Sequence, residues 1–315
     1  MNGTLFVTHP ACLTHEVNPG HPECPERLQA INDRLSQEDF SKLARLEAPS
    51  ASLDDLKLAH DAAYIEAVFD RIPAGRALDF LDADTCISTG SSNAALHAVG
   101  AVLQAVETVA NGNHKNAFCA VRPPGHHAHK AKWGGFCLFN SIAIGAKAAL
   151  QRHGLSKVAI IDFDVHHGDG TQDIALDDPR IFYASTHQSP LFPGTGHAHE
   201  KGTHGSILNL PLPPCTDGRQ LLHAYEAVIL PQIAQFSPDM IFVSAGYDAH
   251  LADGIAQFRL TTQDYASLMR LLLDFADLYC QGRLVAVLEG GYDLDALADS
   301  VAATLKEMMH HDATG

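Results

Sequence analysis

The chain has 315 residues, 46% hydrophobic and 18% charged, and 21 Lys and Arg against 37 Asp and Glu leave a net charge of −16 with His neutral. That composition is ordinary for a globular protein, and its negative balance disfavours nonspecific binding to nucleic acid or an anionic membrane while attracting cationic ligands. No apolar run reaches the roughly 18–20 residues of a membrane helix, and the first residues lack the basic head and apolar core of a secretory signal.

Short apolar, β-branched runs alternate with longer amphipathic ones, the pattern of an α/β protein. The first strand is expected at Leu5–Thr8, and Pro25 opens a helix through about Leu35 with Leu28, Ile31 and Leu35 on one face. Leu96, Val99, Leu103 and Val106 recur at helical spacing in Ser91–Ala110, before a strand at Ala117–Val121. A helix at Ser141–His153 stops at Gly154, and strands are expected at Lys157–Phe163, Ile181–Ser185 and Ser206–Leu210. Asp217 caps a helix to about Phe236, a strand covers Met240–Ser244, and a helix from Thr262 ends near Gly282. A last strand at Leu284–Leu288 and a helix from Leu294 to about Met309 complete one domain over 1–315, a mostly parallel sheet between helical layers.

In open parallel sheets, ligands bind beyond the carboxyl ends of the strands. Four of the expected strands run into polar clusters there: Arg122-Pro-Pro-Gly-His-His127, Asp162-Phe-Asp-Val-His-His-Gly-Asp169, Ala245-Gly-Tyr-Asp248 and Glu289-Gly-Gly-Tyr292. Asp164 and His166, two apart on an extended segment, face the same way, and Asp248 from another strand adds a third ligand. Three ligands leave a position open for water, the arrangement of a catalytic zinc. His126 and His127, held in a Pro-Pro-Gly turn, are candidates for base and acid, with Asp162 and Asp169 as their carboxylate partners. Tyr292, delivered by two glycines, can donate a hydrogen bond to a developing oxyanion. By themselves these residues also admit plainer roles: Asp164 and His166 capping a turn, Tyr292 packed under the sheet, Arg27 in a helix-face ion pair, and Asp82-Ala-Asp84 in a solvated loop that could border a cationic mouth. Seven scattered Cys, odd in number and never C-x-x-C, predict a reducing cytoplasm, and twenty His turn attention to metal and proton chemistry. G-x-S-x-G, H-E-x-x-H and Walker A patterns do not occur.

Together GHPECPERL (20–28), RPPGHHA (122–128), GGFCLFNSIAI (134–144), DFDVHHGDGTQ (162–172), LFPGTG (191–196), SAGYDAH (244–250) and EGGYD (289–293) resemble the zinc-dependent histone deacetylase family over nearly the whole chain. The forms of the His and Asp motifs look closest to its class II branch and bacterial relatives, the histone deacetylase-like and acetylpolyamine amidohydrolases. The resemblance implies the arginase/deacetylase α/β fold and one zinc per chain on Asp164, His166 and Asp248. It implies His127 as general base and then acid, His126 as an electrostatic partner, Asp162 and Asp169 behind them, and Tyr292 on the substrate oxyanion. Gly135, Phe136, Phe192, Ile255 and Gly290 would bind substrate, Phe136 and Phe192 as aromatic walls around an alkyl stem, and Arg27 would line a channel for departing acetate. A structural potassium would use Asp162, Asp164, His166, Ser185 and Thr186, mostly through backbone oxygens.

The expected activity is removal of acetyl or related acyl groups from the ε-amine of lysine or a similar cationic small amine, in a chain that could also self-associate. Ile255 stands where polyamine-selective relatives carry a gatekeeping Glu, which favours acyl-lysine over acetylpolyamine unless Asp82, Asp84 or Asp253 guards the mouth. A binuclear-manganese ureohydrolase would need an Asp-x-His-x-Asp run, broken here by Gly168, and a noncatalytic acyl-lysine binder would not need Tyr292.

Overall fold

Runs that are apolar at every position suit strands covered on both faces, and such runs form the centre of this molecule. In the computed structural model, which describes residues 3–75 and 77–313, the strands are β1 (Leu5–Thr8), β2 (Ala44–Glu47), β3 (Leu78–Phe80), β4 (Cys86–Ser88), β5 (Asn116–Cys119), β6 (Val158–Asp162), β7 (Ile181–Gln188), β8 (Ile207–Leu212), β9 (Met240–Ala245) and β10 (Leu284–Leu288). Eight of them pair in parallel in the order β2-β1-β5-β10-β9-β6-β7-β8, while β3 and β4 form a separate antiparallel hairpin. β5, β6, β9 and β10 are buried at every position.

The helices are α1 (Glu26–Leu35), α2 (Leu53–Leu56), α3 (Ala62–Asp70), α4 (Ser91–Ala110), α5 (Ser141–Arg152), α6 (Asp169–Ala175), α7 (Gly218–Ala224), α8 (Leu230–Phe236), α9 (Thr262–Cys280) and α10 (Leu294–Ala313). α4 packs on α5, and α10 packs on both α1 and α9. The caps follow from the sequence. Asp217 and Gln220 form a reciprocal capping box at the start of α7, Thr261 and Asp264 another at α9, and Gln281 turns left-handed to end α9.

The expected single helix from Asp217 to Phe236 is interrupted by a π turn over Tyr225–Ile229, immediately before Pro231. Proline has no N–H for the helical ladder and crowds the preceding turn, and a wider turn absorbs both effects. Strand β6 ends at Asp162 rather than Phe163, so Asp164 and His166 sit in a bent segment rather than an extended one. β7 and β8 run three and two residues further than expected, to Gln188 and Leu212, where they pair His187 with Pro211 and Gln188 with Leu212.

Candidate active site

Strands β5, β10, β9 and β6 are consecutive neighbours in the sheet, so the four polar segments that leave their carboxyl ends meet at one rim. Beyond β6 the chain turns on its own side chains. Asp162 Oδ1 accepts the Asp164 N–H at 3.2 Å, and Asp164 Oδ1 accepts the His166 N–H at 2.9 Å. These bends, not a strand pleat, turn both side chains inward. Asp248 arrives from the end of β9, its Oδ1 accepting the Val165 N–H at 3.0 Å. Ligating atoms of Asp164, His166 and Asp248 all lie within 4.8 Å of one another, and all three residues are buried. His166 Nδ1 is 3.1 Å from Asp164 Oδ1 and 3.0 Å from Asp248 Oδ2.

The donor set suits a divalent cation. Burial and the charge of Asp164 push the Asp248 carboxyl up, while, against burial, His126 and His166 hold Asp164 below its usual range, so the pair stays ionised through positive charge beside it. Two carboxylates and one imidazole are hard and borderline donors that zinc accepts, and three protein ligands leave a position for water.

The two histidines of the Pro-Pro-Gly turn divide between the two aspartates. His126 Nδ1 lies 3.1 Å from Asp162 Oδ2, and His127 Nδ1 lies 2.7 Å from Asp169 Oδ1. Burial works against charge on His126, but Asp164 and Asp162 together hold it well above the usual histidine range. Burial and neighbouring His126 pull His127 down to about 4, which favours a neutral imidazole at physiological pH. Glu289 braces the turn by accepting the N–H groups of Gly125 at 2.7 Å and His126 at 3.1 Å. Asp169 is shared, because its second oxygen meets His129 Nε2 at 3.0 Å.

Above these groups opens a cavity of ≈ 240 Å³ lined by Asp84, His127, Gly135, Phe136, His166, Leu191, Phe192, Ile255 and Tyr292. Phe192, 48% exposed at the rim, meets the His127 ring edge-on at 5.1 Å, and Phe136 meets Tyr292 edge-on at 6.0 Å. Phe136 holds φ at +69°, a strained value for a bulky residue that fixes where its ring enters the cavity. At Gly135 a Cβ would fall 2.4 Å from the His127 ring, so only glycine lets the wall close on that imidazole. Gly290 lies behind the cavity: its N–H donates to Asp164 Oδ2 at 2.8 Å, and a Cβ there would strike Asp248 at 2.3 Å.

Arg27 is fully buried, donating to Gly291 O, Glu289 O and Glu23, with its guanidinium 5.0 Å from the centre of the Tyr292 ring. Burial and the Asp248 charge hold the Tyr292 phenol well above its ordinary range, which keeps it a donor. Ser185 and Thr186 are buried on β7, with Ser185 opposite Asp162 in the ladder. Glu289 and Leu191 lie within the EGGYD and LFPGTG motifs, but neither they nor His129 were given a role from the sequence, because residue type and spacing do not show which backbone or wall a side chain meets.

A model of the histone deacetylase domain matches residues 21–308. A protein of Archaeoglobus fulgidus named "Probable deacetylase" is 41% identical over 298 residues, covering 93% of this chain and 82% of that one. The human protein named "Polyamine deacetylase HDAC10" is 35% identical over 98% of this chain, which spans 48% of the human one. The crystal structure of the HDA15 HD domain has a TM-score of 0.90 at 31% identity, over 99% of this chain and 90% of that one.

Proposed function

The chain belongs to the histone deacetylase family, and from that premise we propose that it hydrolyses the amide of an acylated lysine ε-amine or similar alkylamine with one zinc ion per chain. The observation that carries this reading is the meeting, around one cavity, of the Asp164–His166–Asp248 donor set, a neutral His127 on Asp169, and the Tyr292 phenol. Asp164, His166 and Asp248 would hold the metal, which when bound supplies Lewis acidity to the carbonyl and acidifies a water.

The chain's own groups do the rest. Phe136, Phe192, Gly135 and Ile255 flank the alkyl stem and exclude water from it. Gly290 shapes the floor from behind by holding Asp164. His127 accepts the proton of the attacking water through Nε2 while Nδ1 stays on Asp169. Tyr292 donates to the carbonyl oxygen as it gains negative charge. The C–N bond then breaks, His127 returns its proton to the leaving amine, and acetate and free amine remain. His126, paired with Asp162, adds positive charge beside the reacting centre. Arg27, buried beyond Tyr292, is the cation an outgoing acetate would meet. A potassium ion is assigned to the loop of Asp162, Asp164 and His166 with Ser185 and Thr186, all of them buried, with Asp162 opposite Ser185 at the end of the β6–β7 ladder. We read the whole chain as one domain, since one sheet takes strands from Leu5 to Leu288.

Acetylpolyamine is the second reading, favoured by the acid Asp84 on the cavity wall. Asp253 gives it no support, because its carboxylate oxygens accept three backbone N–H groups. The test compares acetyl-lysine peptide and acetylspermidine as substrates, with and without chelator, and counts metal in the purified protein. Chelator-sensitive turnover with one zinc per chain supports the reading. Two manganese ions, or binding without turnover, would sink it.

A further inference from the structure

Tyr292 is attached to the sheet through Gly290 and Gly291, and Gly291 sits at φ +118°. A Cβ at Gly291 would fall 2.9 Å from both Leu297 and Tyr247 side-chain atoms, so this strained linker has to remain glycine. Glycine carries the least conformational restraint of any residue. The direction of the phenol therefore depends on what grips the backbone from outside.

Two charged groups do so, at opposite ends of one peptide bond. The carbonyl of Gly291 accepts from Arg27 Nε at 2.6 Å, and the N–H of Tyr292 on the same peptide donates to Asp253 Oδ2 at 2.6 Å. A peptide unit is planar, so holding its oxygen and its N–H together orients the plane and the N–Cα bond of Tyr292, and the Asp293 N–H held by the same carboxylate oxygen restrains rotation beyond it. Asp253 Oδ2 also accepts the Asp293 N–H at 3.1 Å, and Oδ1 accepts the N–H of Ile255 at 3.1 Å. Ile255 is a wall of the same cavity. The Asp253 side chain is 7% exposed, and its own N–H is tied to His250 O at 2.9 Å, two residues from Asp248.

We propose that Asp253 is a positioning residue that holds the Tyr292 phenol and the Ile255 wall in one fixed relation to the Asp164–His166–Asp248 cluster, by clamping the Gly291–Tyr292 peptide against Arg27. The assignment rests on the deacetylase reading for its kinetic consequence, though not for its geometry. Asp253 acts through Tyr292 and touches no reacting atom.

The experiment is a double-mutant cycle on the full-length, metal-loaded protein, using an acetyl-lysine peptide. Asp253→Ala should lower kcat about 10- to 100-fold, since a misplaced donor loses most of the effect of an absent one, and should change KM less than about threefold. In the Tyr292→Phe background, where no hydroxyl remains to be misplaced, Asp253→Ala should cost less than about threefold. Asp253→Asn keeps one acceptor oxygen for the Tyr292 N–H, so it should restore part of the rate, and it carries the cycle if the Ala variant does not fold. An equal loss in both backgrounds would overturn the proposal, as would a loss confined to KM or to metal content. A crystal structure of the Asp253 variant gives a readout independent of turnover. A displaced or doubled Tyr292 ring supports the clamp, and an unmoved Tyr292 and Ile255 refute it. A wild-type protein inactive on all acyl-amines would instead refute the deacetylase reading, while that crystal structure still decides the clamp.

Discussion

At the scale of single residues, the cluster of Asp164, His166 and Asp248 leaves little redundancy. Removing the Asp248 carboxylate leaves two protein ligands, too few to keep zinc at a site open to water. Asp248→Ala should therefore emerge from purification with little metal, as measured by plasma spectroscopy, and with activity near background. Tyr292→Phe keeps the ring on Phe136 and Arg27 but deletes the donor. We expect unchanged metal content and a kcat lower by about 10²- to 10³-fold, the usual cost of one oxyanion donor. Substrate choice should turn on Ile255. A second ammonium on the substrate gains nothing from an apolar wall, so acetyl-lysine peptide should be turned over at least as efficiently as acetylspermidine. Ile255→Glu should shift kcat/KM toward the polyamine, compared at one ionic strength because the steering from a net charge of −16 is screened by salt.

At the scale of elements, the site depends on how helices begin. Asn140 caps α5 by accepting the Ala143 N–H at 3.0 Å, and its amide donates to Ala128 O at 3.2 Å and Thr171 Oγ1 at 3.0 Å. One side chain thus joins α5, the turn that carries His127, and α6. Asn140→Ala should cost about 1–2 kcal/mol for the cap alone, and more in total because buried polar partners are left unpaired. Urea unfolding measures the loss, with an accompanying fall in kcat as the His127 turn loosens. The same logic shows which elements could be read in advance. β5, β6, β9 and β10 stood out because burial on both faces demands an unbroken apolar run. β2 did not, because Ala44-Arg-Leu-Glu47 lies at the sheet edge with three of its four residues exposed. The three-residue strands β3 and β4, and the four-residue α2, are too short for their pattern to repeat. The cluster of Asp164, His166 and Asp248 was legible because its members follow closely on the apolar runs of β6 and β9. Glu289 took a bracing role and Asp253 a clamping one that only the folded path of the backbone reveals. Phe136 was expected as a wall, but its left-handed backbone was not, since nothing in its residue type asks for it.

At the scale of the whole molecule, buried histidines make stability depend on pH. Burial pulls His15 and His60 down to about 4 from an ordinary value of 6.5. His60 must stay neutral, because its Nε2 accepts the Asn140 N–H at 2.9 Å while Nδ1 meets His129 O. Between pH 6.5 and 4 the unfolded chain binds more protons than the folded one, so stability is present above 6.5 and lost as pH falls, on the order of 3 kcal/mol for each such group. His129 works the other way. Hydrogen bonds to Asp169 and Asp173 raise it to about 9, so its contribution is present below 6.5 and lost as pH rises through 9. Calorimetry should find the highest Tm between these limits, and His129→Gln should flatten the alkaline side and, because Asp169 and Asp173 lose a partner that holds their carboxyls down, weaken the acid dependence as well.

The place of β10 in the sheet has a consequence for the protein's biogenesis. It follows every other described strand in sequence, yet it lies between β5 and β9 at the centre of the sheet. Until residues 284–288 have left the ribosome, β2-β1-β5 and β9-β6-β7-β8 are two half-sheets with no strand pairing to join them. The histidine turn belongs to one half and Asp164, His166 and Asp248 to the other. Nascent chains therefore carry two unpaired central edges and no assembled site. The candidate site cannot assemble before β10 is inserted, and chaperone protection of those edges matters most until then.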